Sequence, residues 1–155
     1  EWLQEGRGLQ EFVDGTPRVF DLSDFVESCN PGRTGQYEPK NFADGRGGVM
    51  NVLNATVNSV NTTYVAIAQQ LDQCGIRDAA ESLGVHRADG GPLQTNPAAI
   101  LGTNEIAPVT MAAAFAAIQS GGLYCEPIAV DRIVDRNGEE LPGQTSECRQ
   151  AIDPD

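Results

Sequence analysis

Two apolar helical segments separated by a four-residue break most constrain what this chain can fold into. The first segment has apolar residues at spacings of four, four and three, which puts them on one helical face. These residues are Val49, Leu53, Val57 and Val60. The second segment follows Asn61 and repeats at i, i+3, i+4 and i+7, with Gly75 as its stop signal. Its face comprises Tyr64, Ile67, Ala68 and Leu71. The break between them is rich in residues that favour helix caps.

The rest of the chain predicts two more helices. A short helix over residues 78–83 ends at Gly84. A longer helix begins at Pro108, because proline suits the first helical position, and it ends at Gly121-Gly122. Its many alanines let a neighbouring helix or sheet approach closely, so we expect this helix to be buried.

A β-hairpin is predicted near residues 127–141. Asn137-Gly138 separates the extended runs Ile128–Val134 and Glu139–Leu141, and Asn-Gly between such runs is the strongest short-range hairpin signal. We therefore expect an α+β fold that is mainly helical in this segment.

Composition narrows the function classes. The chain has 155 residues, 40% of them hydrophobic, and a net charge of −12, which indicates a globular domain rather than a disordered one. No basic patch is present to follow a phosphate backbone, so we expect no nucleic-acid partner. No run of 18 apolar residues occurs, so no membrane span is expected. Both ends read as interrupted elements, and we expect the chain to be an excerpt of a longer protein.

The four cysteines are widely spaced, without a Cys-x-x-Cys pair, and His86 is the single histidine. A zinc site needs clustered ligands, so no metal is expected. Two disulfides in an oxidising compartment and four buried free thiols both fit the composition. We predict a Cys125–Cys148 disulfide flanking the hairpin, with Cys29–Cys74 as the second pair. Four cysteines allow three connectivities, and the sequence alone does not select one.

Ser59 and Asn61 are the candidate catalytic residues. A Ser-His-Asp triad is not supported, because the sequence has no Gly-x-Ser-x-Gly elbow. His86 comes just after the end of a predicted helix, and we expect it to lie on the surface. No glycine-rich phosphate loop is present. Taken alone, Ser-x-Asn is weak, because either residue can simply cap the following helix. In a break between two apolar helices, however, a hydroxyl and an amide at i and i+2 can both face a cleft.

Four stretches in order resemble the transpeptidase domain of penicillin-binding proteins, most closely the bifunctional class A type. The match runs from about residue 36 to residue 141. The stretches are Tyr37–Phe42 (Tyr-Glu-Pro-Lys-Asn-Phe), Gly48–Leu71 with the Ser-x-Asn motif, Leu101–Tyr124 with its Gly-Gly-x-Tyr exit, and Pro127–Gly138. The resemblance implies the penicillin-binding/beta-lactamase-like serine acyltransferase fold.

The chain departs from the family pattern in two motifs. The family uses Ser-x-x-Lys, Ser-x-Asn and Lys-Thr-Gly. Only Ser59-Val60-Asn61 is present here, and Lys40 is the only lysine. We therefore expect residues 1–155 to be the central, largely helical portion of one transpeptidase domain, with Ser-x-x-Lys before it and Lys-Thr-Gly after it.

The resemblance also implies a mechanism. In the family, the Ser-x-x-Lys serine attacks the D-Ala-D-Ala carbonyl of a peptidoglycan stem peptide. Ser59 would relay a proton toward the departing D-alanine, and Asn61 would hydrogen-bond the substrate amide and steady the activating lysine. The implied partners are the stem peptide, beta-lactam antibiotics and the remaining parts of the same domain. No cofactor is implied, and the intact protein would be extracytoplasmic and membrane-anchored. The segment alone is expected to be inactive.

Two other functions remain open at this point. One is a non-catalytic, secreted, disulfide-bonded module that binds the cell wall. The other is a class A beta-lactamase, which the proline-containing approach and the hairpin fit less well, and whose usual Ser-Asp-Asn is Ser-Val-Asn here.

Overall fold

A computed structural model describes residues 1–42 and 47–153. Within them the chain forms two compact units. The first consists of Glu1–Asp78 and Leu93–Glu105, and the second of Ala79–Pro92 and Ile106–Asp155. Helices are the larger elements, and short antiparallel pairs of strands accompany them, which agrees with the α+β expectation. The α-helices are α1 (Val52–Val57), α2 (Asn61–Ala68), α3 (Gln73–Ser82) and α4 (Pro108–Gln119).

Strands of two or three residues pair in antiparallel fashion, the first four in the first unit and the last four in the second. Strand β1 pairs with β4, β2 with β3, β5 with β8 and β6 with β7. The strands are β1 (Phe12–Asp14), β2 (Phe20–Asp21), β3 (Gln36–Tyr37), β4 (Val49–Asn51), β5 (Leu123–Cys125), β6 (Ile133–Val134), β7 (Glu140–Leu141) and β8 (Cys148–Gln150).

Helix α2 lies at the centre of the first unit. Six of its eight residues are buried, so it is covered on nearly all sides, as expected of a core helix. The 3-10 helix Pro97–Leu101 and strand β1 both pack against it. The surrounding core comprises Trp2, Val13, Phe20, Phe25, Val52 and Leu71.

The first predicted helix begins later than the apolar spacing indicated. Val49 belongs to β4, where it pairs with Asp14 of β1, and it is exposed. Asn51 ends the strand and caps α1, because its side chain accepts a hydrogen bond from the Asn54 N–H at 2.8 Å. Of the four residues assigned to that face, Val49 lies outside the helix, and only Val60 is buried. The helix instead buries Val52 and Ala55.

Helix α2 ends earlier than predicted, and helix α3 begins earlier than predicted. Helix α2 ends at Ala68, and Leu71 stays buried in the connection that follows. The Asp72 carboxylate accepts a hydrogen bond from the Cys74 N–H at 3.0 Å, which starts α3 well before residue 78. Gly75 consequently lies inside a helix rather than ending one. The predicted end at Gly84 is confirmed.

In the second unit, α4 begins at Pro108 and ends before Gly121, as predicted. The prediction that this helix is buried is wrong within the described residues, except along one side. A single stripe, Thr110, Ala114 and Ala117, is buried. The apolar side chains on its other sides are exposed, because nothing in the described ranges packs on them. They include Val109, Phe115 and Ile118.

The hairpin and both disulfides are present. Strands β6 and β7 pair Ile133 with Leu141 across a turn in which Gly138 has a φ of 86°. Cys125 and Cys148 are cross-strand partners in β5 and β8 and form one disulfide. Cys29 and Cys74 form the other, within the first unit. None of the helices in ranges 1–42 and 47–153 has the length and hydropathy needed to cross a bilayer.

Candidate functional site at the Ser-x-Asn turn

Ser59 occupies the turn that ends α1, outside any helix interior. The Ser59 N–H donates to the Thr56 carbonyl at 3.1 Å, and the Val60 N–H donates to the Ala55 carbonyl at 2.9 Å. These two bonds define a Schellman motif, whose geometry requires the left-handed conformation at the residue after the C-cap. That residue is Ser59, with a φ of 52°. Val60 and Ala55 are both buried beneath the turn, which fixes its position.

The same motif ends α3 and α4, and there the left-handed residue is glycine. Gly84 has a φ of 77° and Gly121 a φ of 66°, each with the matching pair of backbone hydrogen bonds. Across the described residues, Ser59 is the one non-glycine residue with a positive φ. A side chain costs about 1–2 kcal/mol in this conformation. Strain of this kind tends to be retained at functional sites, so Ser59 is a candidate on geometric grounds.

The Ser59 side chain is exposed, and within ranges 1–42 and 47–153 its hydroxyl has no hydrogen-bond partner. It is therefore available to a ligand. A serine without an adjacent base is a weak nucleophile, so this hydroxyl suits proton transfer or hydrogen bonding better than attack.

Asn61 is held in one orientation by the backbone of a distant segment. Its Nδ2 donates to the Lys40 carbonyl at 2.8 Å. Because a carbonyl can only accept, this bond decides which end of the amide faces Lys40. The other amide hydrogen and Oδ1 have no partner among the described residues and remain for a ligand.

Neither Ser59 nor Asn61 caps the following helix. The N-cap of α2 is Val60, which has no side-chain acceptor. Asn41 supplies the cap instead, because its Oδ1 accepts a hydrogen bond from the Thr62 N–H at 3.0 Å. The capping interpretation of the Ser-x-Asn motif is thus wrong. Asn41 itself was not predicted as a site residue, although it lies in the Tyr37–Phe42 stretch that carries part of the family resemblance.

A close backbone contact supports the start of α2 from the other side. The Thr62 hydroxyl donates to the Gly15 carbonyl at 2.6 Å. A Cβ on Gly15 would lie 2.8 Å from the Thr63 Cα, and one on Gly47 would collide with the Gly15 carbonyl. Only glycine therefore allows this approach. Thr63 is fully buried, and its hydroxyl has no hydrogen-bond partner within residues 1–42 and 47–153.

A second polar cluster stabilises the loop that carries Cys29. Arg33 donates two hydrogen bonds to the buried Glu27 carboxylate, at 2.9 and 2.8 Å, and the Thr95 hydroxyl also donates to it. The hydrogen bonds from Arg33 lower the pKa of Glu27 against the opposing effect of burial. This cluster is structural, and none of the contacts among the described residues links the carboxylate to Ser59.

His86 lies in the second unit, as an exposed residue whose Nδ1 is 3.0 Å from the Gly84 carbonyl. It is thus the surface histidine that the sequence predicted. The exit motif after α4 places Tyr124 in β5, buried, with Arg149 over its ring at 4.5 Å.

Most of the chain matches the model of a known protein family. Residues 19–153 match the family model described as the penicillin-binding protein transpeptidase domain. This range includes both site residues, Asn41 and the predicted hairpin.

Individual relatives agree. The chain is 25% identical to penicillin-binding protein 1A of Aquifex aeolicus over 123 residues, which is 79% of this chain and 16% of that protein. It is 26% identical to penicillin-binding protein 1A of Mycobacterium tuberculosis over 152 residues, 90% of this chain and 17% of that one. The structure of PonA1 from Mycobacterium tuberculosis, solved with penicillin V, superposes with a TM-score of 0.73 at 25% identity, covering 99% of this chain and 40% of that one.

The chain thus spans less than a fifth of the curated relatives and two fifths of the solved structure. The match nevertheless includes most of the residues described here, and the fold of the neighbours is the penicillin-binding one. The resemblance read from four sequence stretches is confirmed, and the chain belongs to the penicillin-binding protein transpeptidase family.

Proposed function

We propose that the intact protein is a peptidoglycan D,D-transpeptidase of serine type, and that residues 1–155 are the central portion of its catalytic domain. The observation that carries this is the Ser-x-Asn turn. It holds Ser59 in a strained left-handed conformation and exposes its hydroxyl, which has no partner among the described residues. Two residues later, a hydrogen bond to Lys40 fixes the orientation of the Asn61 amide. The family match supports acyl transfer as the reaction class.

The proposed mechanism assigns the attack to a serine of a Ser-x-x-Lys motif elsewhere in the protein. That serine forms an ester with the penultimate D-alanine carbonyl of the stem peptide, and the C–N bond to the last D-alanine breaks. Ser59 passes a proton to the departing amine nitrogen, and Asn61 hydrogen-bonds the substrate amide. An amine of a second stem peptide then takes the acyl group and restores the free serine.

The remaining parts of the domain are the proposed partners of α4. Its exposed apolar side chains, Phe115 among them, need a cover, and the matched solved structure is more than twice as long as this chain. Beta-lactams are proposed inhibitors, since PonA1 was solved with penicillin V.

We propose that the protein lies outside the cytoplasm, because both of its cysteine pairs are oxidised. Membrane anchoring is proposed from the family resemblance. Digestion of the protein by protease added to intact spheroplasts tests this placement. Protection of the domain from the protease would refute it.

The function is tested with fluorescent penicillin on the intact protein. We expect one stable covalent label, blocked by unlabelled penicillin, on a serine outside residues 1–155, together with release of D-alanine from a peptide ending in D-Ala-D-Ala. A heat-denatured sample is the control.

Absence of both label and D-alanine release would refute the proposal and restore the non-catalytic binding module, which the family match does not favour. Rapid turnover of penicillin without a stable label would instead identify a beta-lactamase.

A further inference from the structure

Asn41 makes two short hydrogen bonds to Thr62 that together define where α2 begins, and a third contact, from the Thr62 Oγ1 to the Asn41 Oδ1, is longer at 3.4 Å. Its Oδ1 accepts from the Thr62 N–H at 3.0 Å, and its Nδ2 donates to the Thr62 Oγ1 at 3.0 Å. The Thr62 hydroxyl in turn donates to the Gly15 carbonyl. Thr62 has no exposed surface in this structure, so its N–H and hydroxyl depend on protein partners for their hydrogen bonds.

The sequence of α2 gives this external cap unusual importance. The local N-cap, Val60, has no oxygen or nitrogen in its side chain, so the first turn of the helix depends on an acceptor from 21 residues away in sequence. Asn61 is the first residue of that turn. Without the cap, the turn that carries Asn61 would fray.

The neighbouring residue acts on the same turn. Lys40 precedes Asn41, and its carbonyl holds the Asn61 amide at 2.8 Å. A shift of Asn41 therefore moves both the helix start and the acceptor that orients Asn61. Ser59 is two residues before Asn61, and its left-handed conformation depends on the Val60 N–H staying bonded to the Ala55 carbonyl.

We propose that Asn41 is a positioning residue for the reaction, holding Ser59 and Asn61 in place through its two hydrogen bonds to Thr62 and the adjacent Lys40 carbonyl. This inference rests on the proposed transpeptidase function. Asn41 is not expected to touch the substrate itself.

Three variants of the intact protein test it. Asn41→Ala removes both bonds to Thr62. Asn41→Asp keeps an acceptor for the Thr62 N–H and adds a negative charge that suits a helix start. Asn104→Ala is the matched control, because the Asn104 side chain also makes two hydrogen bonds to a single residue. It accepts from the Gln94 N–H at 2.9 Å and donates to the Gln94 carbonyl at 3.2 Å.

The first readout is the kinetics of penicillin acylation, separated into the rate constant of the chemical step and the affinity of the initial complex. In Asn41→Ala we expect the rate constant to fall about 100-fold, the usual effect of a small misplacement of catalytic groups. The affinity should change much less. Asn41→Asp should restore most of the rate, and Asn104→Ala should acylate at the wild-type rate even if its melting temperature falls as far.

The second readout does not depend on activity. Hydrogen exchange measured by mass spectrometry should become at least tenfold faster in the peptide over residues 58–66 of Asn41→Ala, and should stay unchanged there in Asn104→Ala. Wild-type exchange in the alanine variant, or equal loss of acylation in Asn41→Ala and Asn104→Ala, would overturn the inference.

If the wild-type protein is not acylated at all, the proposed function fails. The exchange measurement then still decides whether Asn41 holds the turn.

Discussion

Replacing Ser59 with glycine should make the protein more stable and less active. The structure provides the reason, since Gly84 and Gly121 occupy the equivalent left-handed position after α3 and α4. Relief of the left-handed strain is worth about 1–2 kcal/mol. Glycine also lowers the free energy of unfolding by about 0.4–1 kcal/mol, because it gives the unfolded chain more conformational freedom. We therefore expect the free energy of unfolding to rise by up to about 1.6 kcal/mol, with the middle of the range at about 0.8 kcal/mol.

Ser59→Ala is the matched control for that change. Alanine pays the same left-handed penalty as serine, and the hydroxyl it removes has no partner within the described residues. Its free energy of unfolding should thus stay within about 0.5 kcal/mol of the wild-type value. Both variants lose the hydroxyl, so both should be acylated about 10²- to 10⁴-fold more slowly if Ser59 transfers a proton.

The assay is denaturant unfolding and a penicillin-labelling time course on the same three intact proteins. A glycine variant that is less stable than wild type would refute the strain argument. A glycine variant that labels at the wild-type rate would remove Ser59 from the mechanism. The combination of higher stability and slower labelling is expected only if the serine is kept for chemistry at a cost in stability.

Two further predictions concern the first unit. Gly15→Ala should destabilise it by about 1–3 kcal/mol, because the added Cβ meets the backbone of α2. Gly8→Ala is the control and should be close to neutral, because the nearest atom to its added Cβ is 4.0 Å away. Equal unfolding curves for the two variants would contradict this prediction. The hydrogen bonds from Arg33 lower the pKa of Glu27, so this pair stabilises the fold above the unfolded pKa of about 4.3 and stops doing so as pH falls through the lower folded pKa. In Glu27→Gln the loss of stability between neutral pH and pH 3 should be smaller than in wild type, as measured by urea unfolding, and an identical loss would show that Glu27 contributes nothing.

Local signals predicted the elements that end or begin with a special residue. Pro108 starts α4, Gly84 ends α3, and Asn137-Gly138 turns the hairpin, all as expected. These residues act through their own backbone preferences, so their effect can be read without knowing the rest of the fold.

Two of the errors arose where a distant partner decided the outcome. Val49 fitted a helical face but pairs with Asp14 in a sheet, and the apolar period gives no information on that partner. The same limit applied at the site. Ser59 and Asn61 were identified from a motif, but the residue that caps α2 lies 21 positions away, so Asn41 was not predicted to act there.

Other residues satisfy the helix ends on either side of the turn, which explains why Ser59 and Asn61 can be available for catalysis. A Ser-x-Asn between helices would normally use its polar side chains to satisfy the ends of those helices. Here the end of α1 is closed by backbone bonds and by Asn58, whose side chain donates to the Asn54 carbonyl at 2.8 Å. The start of α2 is capped by Asn41. Val60 supplies the buried contact that anchors the turn. Since other residues satisfy the helix ends, the Ser59 hydroxyl and the outer atoms of the Asn61 amide have no partner among the described residues, which is what the proposed contact with a substrate requires. Under that proposal, the strain at Ser59 is the structural cost of the arrangement.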